Sequence, residues 1–469
     1  MTNTQLLVIG AGPGGYPAAF LAADLGLNVT LVDTQPNPGG VCLFKGCIPS
    51  KALLHAAKVL TDAKEANEIG IDFGTPSIDL SKIREWKNGV VTKLTNGLGI
   101  LSKQRKINFI QGRASFSDSS TVIIKRIDGT EQAITFDNAI IATGSSPATL
   151  PFLPQSLHVM DSTDALKLDD IPGKLLVLGG GYIGLELGTA YNALGSEVSV
   201  VEMMPTLLPG VDRDLVHVLT KRIKSQFADV KLNTKVTNVT ETADGLSVTF
   251  EDKKGQTETT TYDKILVAVG RSPNTGSLGL QNTSVKLNDR GFVTVTPNRQ
   301  TTDSRIYAIG DVVGNPMLAH KASHEGRVAI ESIMGKDAVF EPKTIPAVVF
   351  TDPEIAVCGL TGTQAKEQGL DVKVEKFPWA ASGRAITLNR AEGLTKLIID
   401  PKTEKLLGMA IVGVSAGEMI AEGVLAIEMG ACAADLKSSI HPHPTLSETV
   451  METAESFFGL ATHIYKIKK

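Results

Sequence analysis

The chain contains one glycine-rich unit twice, and this repeat constrains the fold more than any other feature. The first unit covers residues 5–33. It has an apolar run, then Gly10, Gly12 and Gly15 in the pattern G-x-G-x-x-G, then an alanine-rich stretch and a second apolar run that ends at Asp33. This order is typical of a strand, a tight turn, a helix and a second strand that together bind a dinucleotide. Without side chains at the turn, a pyrophosphate can approach the helix N-terminus, where unpaired N–H groups favour an anion.

The second unit covers residues 174–202 and contains Gly179, Gly181, Gly184 and Glu202. In both units 23 positions separate the first glycine from the terminal acid, which we expect to accept hydrogen bonds from ribose hydroxyls. One such motif is weak evidence, but two complete units with equal spacing predict two dinucleotide sites. The terminal acid favours the free 2′-hydroxyl of NAD over the phosphate of NADP, and no arginine follows Glu202 before Arg213. The second site is therefore predicted to take NAD, whereas the glycines alone leave the first open to FAD or a second NAD.

Each unit is followed by a polar hairpin and by a returning strand that ends in glycine. In the first half these are residues 121–136 and 140–147, and in the second half residues 246–263 and 266–273. Three prolines between Ser145 and Ser156 indicate a linker between the halves. The pattern predicts an α/β protein with two Rossmann-like dinucleotide-binding domains that carry β insertions.

Length and net charge limit the number of domains and the classes of partner that this chain can have. At roughly 150 residues per domain, 469 residues correspond to about three or four domains. The net charge is −4, so the broad basic field of a nucleic-acid binder is missing. Residues 6–23 carry no charge, but glycines and prolines interrupt them and no basic residue precedes Lys45, which argues against a membrane span or an export signal. We expect a cytoplasmic protein without nucleic-acid or membrane partners.

Two cysteines, Cys42 and Cys47, directly follow the first unit in the sequence GGVCLFKGCIPSKALLH. Their spacing does not fit a zinc knuckle and no other cluster completes a tetrahedral site, so no metal is predicted. A disulfide in so short a loop adds little chain-entropy stabilisation, but it makes sense if it opens and closes in each turnover. The helical pattern after Cys47 places that thiol near a helix start, where a thiolate is favoured. The alternative is a pair of buried free cysteines.

A second candidate site lies near the C-terminus, in HPHPTLSE at residues 441–448. A dithiol substrate must lose a proton before its sulfur attacks a disulfide, and histidine titrates in the required range. A carboxylate five residues away, Glu448, is suited to orient the ring of His443 and to stabilise its cation. The alternative is a proline-rich loop with structural histidines.

The motif G-G-x-C-x-x-x-G-C-x-P-S-K and the C-terminal H-x-H-P-T-x-x-E resemble the pyridine nucleotide–disulfide oxidoreductases, and the resemblance covers essentially the whole chain. It implies FAD at the first site and NAD at the second, with a redox-active disulfide between Cys42 and Cys47 against the flavin. It further implies that Cys42 exchanges with substrate and that Cys47 faces the flavin. In the same way, His443 is implied as the base and Glu448 as its partner, delivered by the other subunit of a homodimer.

The resemblance assigns further positions. IYAIGD at 306–311 matches the second flavin segment and places Asp311 at the ribitol, and the next segment places Ala319 near the flavin ring. Lys51 corresponds to a lysine near flavin N5, and Glu186 to its ion-pair partner. For these two residues the alternative is ordinary surface charge. The cofactor-binding residues that we expect are completed by Ala114, Gly144, Gly270 and Arg271.

Within the family, GGGYIGLELG, FPWAASGRA at 377–385 and AIVG at 410–413 resemble members that reoxidise protein-bound dihydrolipoamide with NAD⁺. This implies partners that carry lipoyl groups, namely lipoylated acyltransferases or lipoyl carrier domains of 2-oxoacid dehydrogenase complexes. Two other functions remain open: a disulfide reductase with a different substrate, and a non-catalytic binding or scaffold subunit. The complete set of Cys42, Cys47, His443 and Glu448 argues against the second.

Four domains are predicted from these features. They are an FAD-binding domain at 1–147, an NAD-binding domain at 148–272, a central domain at 273–344 that returns to the FAD side, and a C-terminal α+β dimerisation domain at 345–469 with a helix at 417–429.

Overall fold

The structure, a computed structural model, describes residues 2–465. Its fold is mixed α/β, as the sequence predicts. The predicted domain ends at residues 1 and 469 lie outside the described residues, and the internal boundaries at 147, 272 and 344 stay predictions.

The first glycine unit forms the predicted strand, helix and strand, and most of the elements up to residue 147 surround it. In chain order these elements are β1 (Thr2–Ile9), α1 (Gly15–Asp24), β2 (Val29–Asp33), α2 (Gly40–Lys45), α3 (Cys47–Glu65), α4 (Leu80–Gln104), β3 (Asn108–Asp118), β4 (Thr121–Arg126), β5 (Glu131–Ile141) and β6 (Ser145–Pro147). Strand β1 lies between β2 and β5 and is parallel to both. The apolar residues of β1 are fully buried, as expected for a strand covered on both faces.

The hairpin predicted at 121–136 is part of the same sheet rather than a separate insertion. Strand β5 pairs with β4 over residues 131–135 and continues without a break beside β1 to Ile141. Along its other edge β4 pairs with β3, which itself continues from the parallel sheet. The hairpin predicted around Asp128 and Gly129 is confirmed, because β4 and β5 pair antiparallel across that turn. The prediction of a distinct returning strand after it is wrong, because the 11-residue β5 forms one side of the hairpin and also the pairing with β1.

The second glycine unit forms the same arrangement within residues 159–273. The elements are β7 (Val159–Met160), α5 (Ser162–Lys167), β8 (Lys174–Leu178), α6 (Tyr182–Ala193), β9 (Glu197–Glu202), α7 (Arg213–Gln226), β10 (Asp229–Leu232), β11 (Thr234–Thr242), β12 (Gly245–Asp252), β13 (Thr257–Tyr262), β14 (Lys264–Val267) and β15 (Arg271–Pro273). A parallel sheet has the order β10-β9-β8-β14-β7, and the predicted polar hairpin belongs to a separate sheet, β11-β12-β13.

The two halves meet where their returning strands end. Strand β6 pairs antiparallel with β15, so that Ser145 lies opposite Pro273. The predicted linker at 145–156 is therefore wrong at its start, because its first three residues form a strand. This small sheet brings the carboxyl ends of both parallel sheets toward one region of the molecule, where ligands of open α/β sheets bind.

The chain then returns to the first sheet and continues into an antiparallel sheet. The remaining elements are β16 (Ile306–Ala308), α8 (Ala319–Ile333), β17 (Ala347–Val349), β18 (Glu354–Gly359), α9 (Gly362–Glu367), β19 (Lys373–Pro378), α10 (Gly383–Thr387), β20 (Leu394–Ile399), β21 (Leu406–Gly413), α11 (Ala416–Met429), α12 (Ala433–Ser438) and α13 (Glu448–Phe457), with short 3₁₀ helices at Ala66–Ile69, Leu280–Asn282, Gly310–Val313 and Trp379–Ala381. Strand β16 extends the first sheet beside β5. Strands β17 to β21 form the sheet β17-β18-β21-β20-β19, and α11 confirms the helix predicted at 417–429.

A buried ion pair ties the C-terminal sheet to the second parallel sheet. The ammonium of Lys396 is almost fully buried and donates to Asp212 at 2.5 Å and to Asp214 at 2.8 Å. Burial alone raises the pKa of Asp212, but hydrogen bonds from Lys396 and Thr363 outweigh it and hold that pKa below its ordinary value. The contact links β20 to the start of α7, and removing Lys396 would leave the buried carboxylate of Asp212 without its cation. Within residues 2–465, no helix is both long and apolar enough to span a bilayer.

Two glycines of the C-terminal part provide a matched test of backbone packing. Gly359 (φ +71°) and Gly369 (φ +65°) have similar left-handed conformations, but an added Cβ would lie 2.3 Å from the carbonyl oxygen of Leu407 at Gly359 and would meet nothing within 4 Å at Gly369. We expect Gly369→Ala to cost about 1–2 kcal/mol from strain alone. Gly359→Ala should cost roughly 3 kcal/mol or more, because overpacking adds to the strain. Urea unfolding followed by circular dichroism measures both, and equal losses would contradict the proposed close contact.

Candidate active site

One large cavity opens where the glycine turn of the first unit meets α3, α6 and the 3₁₀ helix at 310–313. It contains about 1500 Å³ of free space, counting its open mouth. The predicted residues that line it are Gly10, Gly12, Asp33, Cys42, Cys47, Lys51, Gly144, Glu186, Arg271, Asp311 and Ala319. The sequence therefore placed residues from six separate segments of the chain around one space.

The two glycine turns are built alike. Gly10 has φ +100°, and a Cβ there would lie 2.3 Å from the carbonyl oxygen of Ala142; at Gly179 the angle is +105°, and the distance to the oxygen of Ala268 is 2.6 Å. Only glycine therefore fits the start of either turn.

The acids at the ends of the second strands brace these turns. Asp33 accepts from the N–H of Ala11 at 2.7 Å, and Glu202 accepts from the N–H of Gly180 at the same distance. Each carboxylate keeps lone pairs that can accept from ribose hydroxyls, as predicted. In addition, each one braces the glycine turn.

Both turns fit a dinucleotide. A Cβ on Gly12 would meet only Cα of Gly40, at 3.8 Å, so this glycine borders open space of the cavity in which a pyrophosphate can approach the backbone. At the second site a Cβ on Gly181 would meet nothing within 4 Å, and the N-terminus of α6 opens directly beyond it. The first site is part of the cavity, whereas Gly179, Gly181, Gly184, Glu202 and Gly270 lie outside its lining.

Cys42 and Cys47 lie on consecutive helices. Cys42 lies within α2, and Cys47 is the first residue of α3, which confirms the predicted position at a helix start. The two thiols lie close enough for each to be the main influence on the acidity of the other. Both residues line the cavity.

The surroundings separate the two thiols in acidity. A hydrogen bond from Cys42 is the main reason why the pKa of Cys47 is lowered to about 7, and the nearby ammonium of Lys51 contributes, whereas burial opposes the shift. The hydrogen bond to Cys47 and burial both raise the pKa of Cys42. Cys47 is therefore the thiolate of the reduced pair near neutral pH, and Cys42 keeps its proton.

Lys51 and Glu186 are not surface charges. The ammonium of Lys51 lies 2.7 Å from Glu186, whose side chain is only 4% exposed. Glu186 also accepts from the hydroxyl of Ser50 at 3.2 Å and from the N–H of Phe350 at 3.0 Å. The carboxylate thus joins α3, α6 and the C-terminal part of the chain beside the cysteines.

A second series of side-chain hydrogen bonds ends at Asp311. The hydroxyl of Ser145 donates to Asp311 at 2.6 Å and accepts from Nε of Arg271 at 2.7 Å. Arg271 also donates to the carbonyl oxygen of Ser145 at 2.6 Å. The small sheet of β6 and β15 therefore orients the carboxylate that the sequence predicts at the flavin ribitol.

His443 and Glu448 form the predicted pair at a different place on the surface. Nδ1 of His443 lies 2.8 Å from Glu448, whose other oxygen accepts from the N–H of Thr445 at 2.7 Å. Burial opposes ionisation, but these hydrogen bonds and the neighbouring imidazole hold the pKa of Glu448 below its ordinary value. The ring of His443 is 78% exposed, and neither residue is among the described residues that line the cavity. A single chain therefore holds the two predicted parts of the site apart.

Two predicted residues have a packing role in the structure. Gly15 lies against the turn, where a Cβ would be 1.8 Å from the oxygen of Gly10. Ala114 is buried in the apolar core beside β3 and does not line the cavity with its side chain, so its cofactor contact stays a prediction. Over the described part of the chain, no cluster of three or more His, Cys, Asp or Glu side chains is arranged to hold a metal ion.

Sequence reasoning missed four residues of the site. Ser50 stands in the motif beside Lys51 and Tyr182 in the second glycine motif, so the motifs could have indicated both. Ser145 was placed in a linker. No signal marks Phe350, which is distant from every motif and reaches Lys51 only through the tertiary fold.

Comparison with known proteins relates this arrangement to a family. Residues 4–326 match the family described as pyridine nucleotide-disulphide oxidoreductase, and residues 345–454 match its dimerisation domain. The chain is 50% identical over 467 residues to a dihydrolipoyl dehydrogenase of Haemophilus influenzae, covering 99% of this chain and 97% of that one. It is 46% identical to a dihydrolipoyl dehydrogenase of Bacillus subtilis, with 99% and 98% covered.

Solved structures give the same relationship. LpdA of Mycobacterium tuberculosis superposes with a TM-score of 0.89 at 27% identity, over 97% of this chain and 99% of that chain. The HOCl-induced flavoprotein disulfide reductase RclA of Escherichia coli, in its Cu(II) complex, superposes with a TM-score of 0.87 at 29% identity, over 97% and 100%.

The acidity of Cys47 should depend on the donor at position 42. Cys42→Ala removes the hydrogen bond that lowers the pKa of Cys47 most, so we expect this pKa to rise from about 7 to roughly the ordinary value of 8.5 or above. Cys42→Ser keeps a hydroxyl donor and should stay nearer the lower value. The pH dependence of iodoacetamide alkylation at Cys47, followed by peptide mass spectrometry, measures both. If the two variants have the same midpoint, the hydrogen bond is not the cause.

Proposed function

The chain belongs to the pyridine nucleotide-disulphide oxidoreductase family, and from this premise we propose that it oxidises protein-bound dihydrolipoamide to lipoamide with NAD⁺. The observation that carries the proposal is the pair of neighbouring cysteines, Cys42 and Cys47, that lines one dinucleotide cavity. Full-length relatives at 46–50% identity, all dihydrolipoyl dehydrogenases, support the substrate.

Members of this family use FAD and NAD. In this chain Gly10, Gly12, Gly144, Asp311 and Ala319 would hold FAD along the cavity, with Lys51 and Cys47 beside its ring. The glycines at 179, 181 and 184, with Glu202, Gly270 and Arg271, would hold NAD. Bound FAD supplies the two-electron chemistry that connects the dithiol with the nicotinamide.

The chemistry of the thiols themselves follows from their surroundings. In the oxidised protein, a substrate thiol gives its proton to His443, and its thiolate attacks Sγ of Cys42. The bond between Cys42 and Cys47 breaks, and Cys47 leaves as a thiolate, which the ammonium of Lys51 stabilises. The second substrate thiol then attacks the first substrate sulfur and releases lipoamide, and its proton passes to the sulfur of Cys42 as that sulfur leaves, while the first proton stays on His443. One dithiol and one disulfide thus become one disulfide and one dithiol.

The base must reach this reaction from another chain. His443 is exposed and lies outside the lining of the cavity that holds the cysteines of its own chain, and the matched C-terminal segment is a dimerisation domain. These observations support a homodimer in which each His443–Glu448 pair serves the cysteines of the partner subunit.

The partners follow from the substrate. Lipoyl groups are carried by acyltransferases or lipoyl carrier domains of 2-oxoacid dehydrogenase complexes, and we place the protein with these partners in the cytoplasm. The structural likeness to RclA, a flavoprotein disulfide reductase, favours one alternative, in which the chain reduces a different disulfide substrate. Turnover with lipoamide against glutathione, and with NADH against NADPH, separates the two.

His443→Gln should reduce dihydrolipoamide oxidation by roughly 100-fold or more, because it removes the proton acceptor of the thiol step. Exchange of electrons with NADH, which needs no thiol proton transfer to this ring, should remain near the unaltered rate. Stopped-flow absorbance resolves the two half-reactions. Equal loss in both would contradict the role of His443 as the base.

Hybrid dimers test whether the site spans two chains. Co-expression of differently tagged Cys42→Ser and His443→Gln chains gives a heterodimer with one site whose cysteines and histidine are all intact if the histidine acts on the partner. We expect this heterodimer to show about half the activity of the unaltered dimer, since one of two symmetric sites is complete. A heterodimer as inactive as either parent variant would place both parts in one chain.

A further inference from the structure

The ammonium of Lys51 is held from two sides. Glu186 lies 2.7 Å away on one side, and on the other the ring of Phe350 lies 4.3 Å from Nζ, measured to the ring centroid. About a third of the lysine side chain stays exposed, and Lys51 and Cys47 both line the cavity. A cation over an aromatic face at this distance is attracted by the negative face of the ring, most strongly where water is partly excluded.

Phe350 belongs to a different part of the chain from Lys51. It directly follows β17 in the C-terminal part, whereas Lys51 lies on α3. The N–H of Phe350 donates to Oε1 of Glu186, while Oε2 of the same carboxylate accepts from Lys51. The backbone N–H of Phe350 therefore holds Glu186, and its ring contacts the ammonium of Lys51, so one residue contacts both members of the ion pair.

The ring of Phe350 is half-buried near the N-terminal end of α11. A Cβ on Gly417 would lie 3.6 Å from Cε1 of Phe350, an ordinary van der Waals distance. Lysine has a flexible stem whose rotamers an ion pair alone holds loosely, and a rigid ring beside the ammonium reduces that freedom.

We propose that Phe350 is a positioning residue that holds the ammonium of Lys51 beside Cys47 and so sets the fraction of Cys47 that is thiolate in the reduced enzyme. This inference rests on the proposed function. It adds that the C-terminal part of the chain, besides supplying His443, adjusts the acidity of the thiol pair in its own subunit.

The charges around the thiol define the expected direction. Cys42 and Lys51 lower the pKa of Cys47, and Glu186 raises it. Tyr182 lies close by, and its own pKa is raised by burial and also by the charges of Glu186 and Cys47. If the ammonium moves away, Cys47 loses stabilisation of its charged form and keeps the unfavourable influence of Glu186. Loss of the ring should therefore raise the pH at which the thiolate forms.

The test uses the flavin-loaded enzyme, reduced without oxygen by dihydrolipoamide. The thiolate of Cys47 beside oxidised flavin gives a long-wavelength absorbance, and its pH midpoint reports the acidity of Cys47. We expect Phe350→Leu to shift this midpoint upward by roughly half a pH unit. Phe350→Tyr keeps an aromatic face and should stay near the unaltered midpoint.

A matched control removes a similar contact elsewhere. The guanidinium of Arg105 lies 4.8 Å from the ring centroid of Phe20, which is not among the residues lining the cavity. Phe20→Leu should leave the midpoint unchanged.

The proposal is wrong if the pH midpoint of Phe350→Leu does not shift or shifts downward. It is also wrong if the midpoints of the Leu and Tyr variants shift equally, or if the midpoint of Phe20→Leu shifts as much as that of Phe350→Leu. If Phe350→Leu does not retain flavin, Phe350→Met replaces it; loss of flavin in both shows a role in assembly and also overturns the proposal. An unaltered enzyme that gives no long-wavelength absorbance on reduction instead contradicts the proposed function.

Discussion

The hydrogen bond between Cys42 and Cys47 at the start of α3 is the interaction on which the site depends. It lowers the pKa of Cys47 and raises that of Cys42, whereas the ammonium of Lys51 and the backbone N–H at the start of α3 lower the pKa of both thiols. The position of α3 therefore matters more than the mere presence of two cysteines.

The repeated unit explains why the cysteines lie beside a cofactor at all. Each unit ends its strands at the same edge of a parallel sheet, and the pairing of β6 with β15 turns the two edges toward one region. Glu186, on the helix of the second unit, reaches Lys51 beside the first. The second site thus contributes a residue to the first, and the two cofactor sites are structurally joined.

The C-terminal part acts on the site in two ways. Within one chain, the backbone and ring of Phe350 hold the ion pair of Lys51 and Glu186. His443, in contrast, projects from its own chain with its ring largely exposed and its Nδ1 fixed by Glu448. One segment therefore contacts the ion pair beside the thiols of its own chain and carries a histidine that faces outward.

The sequence by itself determined the glycine turns, the cysteine pair and its helix, and the pairing of His443 with Glu448, because each depends on residues close together in the chain. It missed the continuity of β5 and the strand at Ser145, since hydrogen bonding between distant strands decides both. It gave no sign of Phe350, and only the resemblance to a family, not the residue pattern, implied that His443 lies apart from the cysteines of its own chain. These features depend on how separate sheets pack, and only the tertiary structure brings together residues that no local pattern connects.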